Sequence, residues 1–386
     1  MDFGLNEDQL AYQQAARDFA RGEFAPHAAE WDAKSEFPVD TIRRAGELGF
    51  CGIYTPESLG GLGLSRLDAT VILEELAAGC TSTTAYLTIH NMATWMVATF
   101  AQQAVRESWV PRLARGQALG SYCLTEPGSG SDAASIKTRA QRREGRYVLN
   151  GGKAFISGAG ATDLLVVFAR TGEPGAKGIS TFAVPSDSKG IRFGKREHKM
   201  GWNSQPTRTI AFDDVEIDES FRLGAEGEGF SIAMKGLDGG RINIATCSVG
   251  TAQAALDRAQ AHLNSRKQFG QMLSQFQALQ FRLADMVTEL VSARQMVRLA
   301  AWKLDTGSPD ATTYCAMAKR LATDVGFDVA NQALQLHGGY GYSREFPLER
   351  HVRDARVHQI LEGTNEIMRV IVARAVLREG ATEALR

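Results

Sequence analysis

Apolar periodicity changes twice along this chain, and that alternation limits the fold more than any other feature. From residue 5 to about 118 the spacing is helical. Leu10, Ala15, Phe19 and Phe24 form one run, and Ile72, Leu73, Leu76 and Ala77 another. Pro56 and the cluster Gly60 to Gly63 break this zone with a loop. From about 119 to 231 short β-rich runs take over: Tyr147–Leu149, Leu164–Phe168, Thr181–Val184 and Thr209–Phe212. Glu144-Gly145 and Asn150-Gly151 read as turns between them. From 232 to 386 the helical period returns, as in Leu279, Leu283, Met286 and Leu290. Ser308-Pro309-Asp310 reads as a helix start with Ser308 as cap. His337 to Gly341 interrupts the last helices with a loop that lets backbone approach a ligand. Helices, then strands, then helices predict an α+β chain: a helical domain over 1–118, an antiparallel β-domain over 119–231 and a helical bundle over 232–386.

Charge and cysteine usage remove several function classes. The formal net charge is −1, which gives no electrostatic case for nucleic acid or an anionic membrane. No run of about 18 apolar residues is present to span a bilayer. Cys51, Cys80, Cys123, Cys247 and Cys315 make no C-x-x-C pair and read as buried thiols in a reducing compartment. No H-E-x-x-H stretch occurs, and no metal site is expected. Met1 to Leu5 is acidic and lacks an apolar run, which predicts a cytoplasmic bacterial protein or the mature form of a mitochondrial matrix protein.

Two glycine clusters, Gly60 to Gly63 and Gly224 to Gly229, do not fit a dinucleotide fingerprint. Neither follows a strand as G-x-G-x-x-G with an acidic residue about 20 positions on. The stretch Tyr122 to Asp132 differs. Its hydroxyls and flexible backbone could aim N–H and O–H groups at an acceptor-rich ring or an anion; it also reads as a plain surface loop. Phe155-Ile156-Ser157, an aromatic beside a hydroxyl, suits a flat heterocycle or ordinary core. Glu362 reads, from its neighbours alone, as a loop carboxylate ahead of a helix capped by Thr364.

Four segments taken together resemble the acyl-CoA dehydrogenases: Tyr122 to Asp132, Arg266 to Gly270, Gln335 to Gly341, and Arg353-Asp354 running into Gln359 to Glu366. They stand in the family's order and spacing, and the resemblance covers nearly the whole chain. Cys80 to Tyr86, Ile89-His90-Asn91, Gly201 to Arg208 and Gly239-Gly240-Arg241 resemble the branch acting on short branched acyl thioesters. The resemblance implies three domains, ending in a four-helix bundle. It also implies non-covalent FAD, an acyl-CoA substrate, electron-transfer flavoprotein as electron acceptor and a homotetramer built as a dimer of dimers.

Residue by residue, it implies that Tyr122, Leu124, Thr125, Gly130, Ser131, Phe155, Ile156 and Ser157 line the flavin. Arg266, Gln268, Phe269, Phe276, Gln277, Gln335, Leu336, His337, Gly338 and Gly339 would hold the pyrophosphate and adenosine, partly across a subunit interface. Thr364, Asn365 and Glu366 would touch the cofactor after the base. Ser131, Asp238, Gly239, Gly240, Arg241 and Gly363 would face acyl-CoA. Phe155 departs from the Trp most relatives carry. Some relatives place the base near position 240, where this chain has Gly239 and Gly240; Glu362 stands at the other family location and is the implied catalytic base. Gly240 is further expected to leave room for a branched acyl group. The implied reaction is α,β-desaturation, in which a buried carboxylate takes the α-proton and a flavin takes the β-hydrogen. The thioester carbonyl would be polarised by a ribityl hydroxyl and the Glu362 N–H.

Overall fold

The computed structural model describes residues 4–379; Met1, Asp2 and Phe3 of the N-terminal reading lie outside the described residues. Six helices come first: α1 (Glu7–Phe19), α2 (Ala28–Lys34), α3 (Val39–Glu47), α4 (Arg66–Gly79), α5 (Thr81–Phe100) and α6 (Gln103–Ala114). Strands follow: β1 (Gly120–Cys123), β2 (Arg139–Arg143), β3 (Arg146–Ser157), β4 (Leu164–Arg170), β5 (Ile179–Pro185), β6 (Ile191–Arg196), β7 (Thr207–Asp218) and β8 (Arg222–Leu223). Then come α7 (Gly229–Ser265), the two-residue strands β9 (Lys267–Gln268) and β10 (Gln271–Met272), α8 (Gln277–Asp305) and α9 (Ala311–His337). The chain ends with α10 (Gly339–Tyr342), α11 (Leu348–Arg356) and α12 (Asn365–Glu379).

The helices start where side chains can satisfy their first N–H groups. Asn6 and Gln9 form a reciprocal capping box on α1, and Ser65 and Asp68 form one on α4. Asp305, at the end of α8, also caps α4: its carboxylate accepts the N–H groups of Arg66 and Leu67 at 2.8 and 2.9 Å. That contact ties the first helical domain to the last. Asp305→Ala is expected to lower stability by about 1 kcal/mol, the usual value of a lost cap, read as a lower urea midpoint at an unchanged slope; an unmoved midpoint would show that water replaces the carboxylate freely.

In the last domain α7, α8, α9 and α12 are the bundle helices, and the apolar seam between the first three runs from Ile242 through Val297 to Leu336. A second cluster joins α5 and α6 to one face of the sheet and the start of α7. The sheet has the order β6-β7-β3-β2-β4-β5-β8, with β1 alongside β4.

Several expectations need correction. Leu10 and Ala15 are exposed; the buried face of the first helix is Ala16, Phe19 and Ala20. A five-residue π-turn, Ala20–Phe24, shifts the phase so that Phe24 is buried as well. The β-domain is mixed, because β1 pairs with β4 in parallel and β2 touches β4 in parallel. Glu144-Gly145 is the β2–β3 turn, with φ of +47° and +76°. Asn150-Gly151 lies inside β3 as a bulge, where Gly151 at φ +142° passes so close to Thr138 that a Cβ would lie 2.7 Å from its Cα. Ser308 caps nothing: α9 begins at Ala311, and the Ser308 hydroxyl donates to the Asp310 carboxylate within the preceding turn.

Candidate active site

Glu362 and Gly363 form a left-handed turn ahead of α12, with φ of +55° and +90°. A non-glycine residue there costs on the order of 1 kcal/mol or more, so neighbours must hold it. The hold comes from α9 and from α12 itself. Lys319, fully buried, donates through Nζ to the Gly363 carbonyl and to Asn365 Oδ1, both at 2.8 Å. Thr364 Oγ1 accepts the Ile367 N–H at 3.3 Å. As a whole Glu362 is half-buried, yet its Oε2 is shut off from solvent without a hydrogen-bond partner. Its backbone N–H donates to no acceptor among the described residues. Burial pushes the carboxyl up to about 7, against the opposing pull of Arg241 and Lys319.

The carboxylate lies against α7. A Cβ on Gly240 would come within 2.4 Å of Glu362 Oε2. The space over Gly240 is therefore filled by the base itself, and clearance for that carboxylate is what its lack of a side chain provides here. The room expected for a branched acyl group is not at that Cβ. Gly239, one step along, faces Arg66, whose Nη1 a Cβ would approach to 2.5 Å. Arg241 is buried and donates to Asp238 at 2.6 Å, and Asp238 accepts from Thr312 at 2.7 Å.

The Tyr122–Asp132 segment opens beside this group. Tyr122 Oη is buried without a partner, and burial, then the nearby Glu362 charge, raises its pKa, which keeps the phenol protonated. Leu124 is buried, and its carbonyl accepts from Lys153 Nζ at 3.0 Å. Glu126 takes the same ammonium at 2.8 Å and the N–H groups of Lys137 and Thr138. The loop is thus pinned from behind, while Gly128, Gly130 and Ser131 face outward. A Cβ on Gly128 or Gly130 would meet nothing within 4 Å. Thr125 accepts the Ala154 N–H at 2.9 Å, which sets Phe155 to Ser157 alongside. Phe155 continues β3 after a bulge at φ +56°, 68% exposed between buried Ala154 and Ile156.

A third group stands apart. Arg266, Gln268, Gln335, Leu336, His337, Gly338 and Gly339 line a groove of about 710 Å³ at the far end of α9. Arg266 lies over the Tyr340 ring at 5.4 Å; His337 donates from Nδ1 to the Ala333 carbonyl and stacks on His262 at 4.3 Å. Phe269 is 93% exposed and meets Phe276 edge-on at 6.3 Å, with Gln277 exposed at the start of α8. Lys319 and Gln335 are separated by about 24 Å along the helix axis at 1.5 Å per residue. These residues do not converge on Glu362 within one chain. A cavity of about 740 Å³ lined by Arg43, Arg115 and Gln117 lies in the first domain and contains no expected site residue.

Asn365 points its side chain into the protein. Its side chain is buried against α9, accepting from Lys319 and donating to Thr323 and Asp324, so only its backbone is left to meet a cofactor. Glu366 is exposed beside Arg369.

Two features escaped the reading of the sequence. Arg66 is buried with its guanidinium 3.5 Å over the Tyr54 ring and its Nη1 unpaired. Lys319 is the second, and a lone lysine among Cys315, Ala318, Ala322 and Thr323 on one helix face was a visible signal. Trp202, within the Gly201 to Arg208 resemblance and at φ +56°, donates from its ring to His358, whose other nitrogen bonds Ser248 at 2.7 Å.

The sequence patterns of the acyl-CoA dehydrogenase N-terminal, middle and C-terminal domains match residues 6–117, 121–215 and 227–377. The chain belongs to the acyl-CoA dehydrogenase family and is an oxidoreductase of that kind. It is 53% identical to the mitochondrial isobutyryl-CoA dehydrogenase of Bos taurus, over 97% of this chain and 90% of that one. It is 50% identical to the mitochondrial isobutyryl-CoA dehydrogenase of Dictyostelium discoideum, over 97% and 91%. The butyryl-CoA dehydrogenase structure from Megasphaera elsdenii shares the fold with a TM-score of 0.95 at 39% identity, covering 98% of this chain and 100% of that one.

Proposed function

We propose that this chain is an FAD-dependent dehydrogenase converting isobutyryl-CoA to methacrylyl-CoA in valine breakdown, with Glu362 as catalytic base. The observation that carries the reading is the sealed, unpaired Glu362 Oε2 with its carboxyl raised to about 7. The residues present fit FAD. Phe155 offers an exposed aromatic face beside a glycine-rich rim with open space, and Tyr122 Oη is buried and unpaired beside them. The residues that would hold it here are Tyr122 to Ser131, Phe155 to Ser157, Thr364, Glu366 and the Asn365 backbone. When bound, FAD supplies the acceptor for the β-hydride. Asp238 to Arg241, Ser131 and Gly363 would face the acyl-CoA.

This chain's own contribution is proton chemistry and polarisation. Glu362 takes the α-proton as negative charge builds on the thioester oxygen, and its free backbone N–H is positioned to donate to that oxygen. The groove around Arg266 and Gln335 lies too far along α9 to serve the same chain's Glu362, which supports a second copy supplying it. Exposed Phe281, Val287, Val291 and Trp302 on α8 offer apolar surface for such copies. We therefore place the chain in a homotetramer of two dimers. Electron-transfer flavoprotein is the acceptor. The compartment is a bacterial cytoplasm or a mitochondrial matrix. No helix among the described residues is long and apolar enough to cross a membrane.

The purified protein is expected to be yellow and to bleach with isobutyryl-CoA without air; a colourless protein would mark a flavin-free binding protein instead. Isobutyryl-CoA is expected to give the highest kcat/KM in a panel with 2-methylbutanoyl-CoA and butyryl-CoA; a clear preference for either of the others removes the substrate assignment. The base acts only when ionised, so kcat/KM is expected to fall as pH drops through about 7, approaching about tenfold per pH unit below it. A limb near the ordinary carboxylate value would rule out Glu362 as the group titrating.

A further inference from the structure

We propose that Lys319 is a positioning residue for the base: from α9 it pins the Glu362–Gly363 turn through the Gly363 carbonyl and places a buried cation behind the segment that carries the carboxyl. This rests on Glu362 being the base. Burying an ammonium is costly unless it is fully engaged. Lys319 is fully buried, and the two acceptors it meets are the Gly363 carbonyl and Asn365 Oδ1, both on the segment that begins with the base. Asn365 is itself locked to α9 through Thr323 and Asp324. An ordinary core position would take leucine there; the lysine instead places a cation behind a strained turn.

The charges around this pair come from α7, α9, α12, β1 and the turn after α11. Glu362 faces Arg241 on α7, Lys319 on α9 and the Tyr122 phenol on β1. Lys319 faces Glu362, Asp324, Arg241 and Glu366, and His358 lies close enough to feel it. Desolvation lowers the Lys319 pKa to about 8, so the ammonium persists where the base must work, and it pulls the Glu362 carboxyl down. Arg241 pulls the same way but is ion-paired to Asp238, which offsets part of its field. Among the described residues no carboxylate is hydrogen-bonded to Lys319, whose two acceptors are both amide carbonyl oxygens.

The test is the pH profile of kcat for the holoenzyme with isobutyryl-CoA. Lys319→Gln can still donate to the Gly363 carbonyl but carries no charge. Its acid limb is expected to move up by about one pH unit or more, with kcat at pH 7 down about tenfold or more and KM within about threefold. Lys319→Arg keeps the charge and is expected to keep the limb near that of the parent protein. A Lys319→Gln enzyme that loses kcat with its limb unmoved would overturn the proposal. So would failure of both Lys319→Gln and Lys319→Met to fold, since that would make the lysine a structural pin only. Glu362→Gln separates the two readings: if it stays active, the base assignment fails; if it is inactive and the Lys319 limb does not move, only this inference fails.

Discussion

Glu362→Gln is expected to lower turnover with isobutyryl-CoA by about 10²- to 10⁴-fold or more, the range for losing a general base. The amide keeps the size of the carboxyl, so the clearance over Gly240 and the left-handed turn remain. What it loses is the ability to accept a proton. Flavin content is expected to match the parent protein, and substrate should still perturb the flavin absorbance. The loss should fall on kcat and leave KM little changed. A variant with normal flavin and turnover within tenfold of the parent would place the base elsewhere, although among the described residues no other carboxylate oxygen is both sealed and unpaired.

Gly240→Ala is expected to cost about 10²-fold in kcat while leaving the fold intact. The added Cβ would lie 2.4 Å from Glu362 Oε2 and 2.9 Å from its Cδ, so the carboxyl must move by roughly an ångström. A displacement of that size at a reacting group costs about 10²-fold. Alanine in a helix interior is better than glycine by about 1 kcal/mol, which offsets the crowding in the stability. Loss of activity at an unchanged melting temperature is therefore the expected signature. The loss should be similar for isobutyryl-CoA and butyryl-CoA, because the base moves for both. A loss confined to the branched thioester would restore Gly240 as a determinant of acyl shape.

Much of the architecture was legible because long helices and strands carry their period plainly. Leu283, Met286 and Leu290 all meet the bundle core, and Leu164 to Phe168 is a fully buried strand. The failures have local causes. A π-turn resets the phase at Ala20, and no residue type marks it. Asn150-Gly151 has turn chemistry but is used for a bulge: Asn150 stays in the strand and Gly151 alone takes a positive φ, of +142°. At the site, Glu362 was legible only through family resemblance: nothing in its neighbours announces a buried carboxylate, because it packs against Gly240 of α7 and is approached by Lys319 of α9, both more than 40 positions away. Asn365 was named only through the resemblance, and nothing near it in sequence announces that its side chain meets Lys319. Arg66 and Lys319 show the reverse case, where a cation on an apolar helix face was the available clue.

The segment leading to the base is tethered on three sides. Arg353 grips Asp32 of α2 with both terminal nitrogens, at 2.6 and 3.1 Å. Asp354 accepts the Trp202 N–H, and His358 links the Trp202 ring to Ser248 of α7. No one of the three structural regions could therefore be excised as a working miniature. The bundle expressed alone would carry every atom of Glu362 but would lack the scaffold from the other two that fixes where it points, so catalytic competence belongs to the whole chain and not to the part that bears the carboxylate.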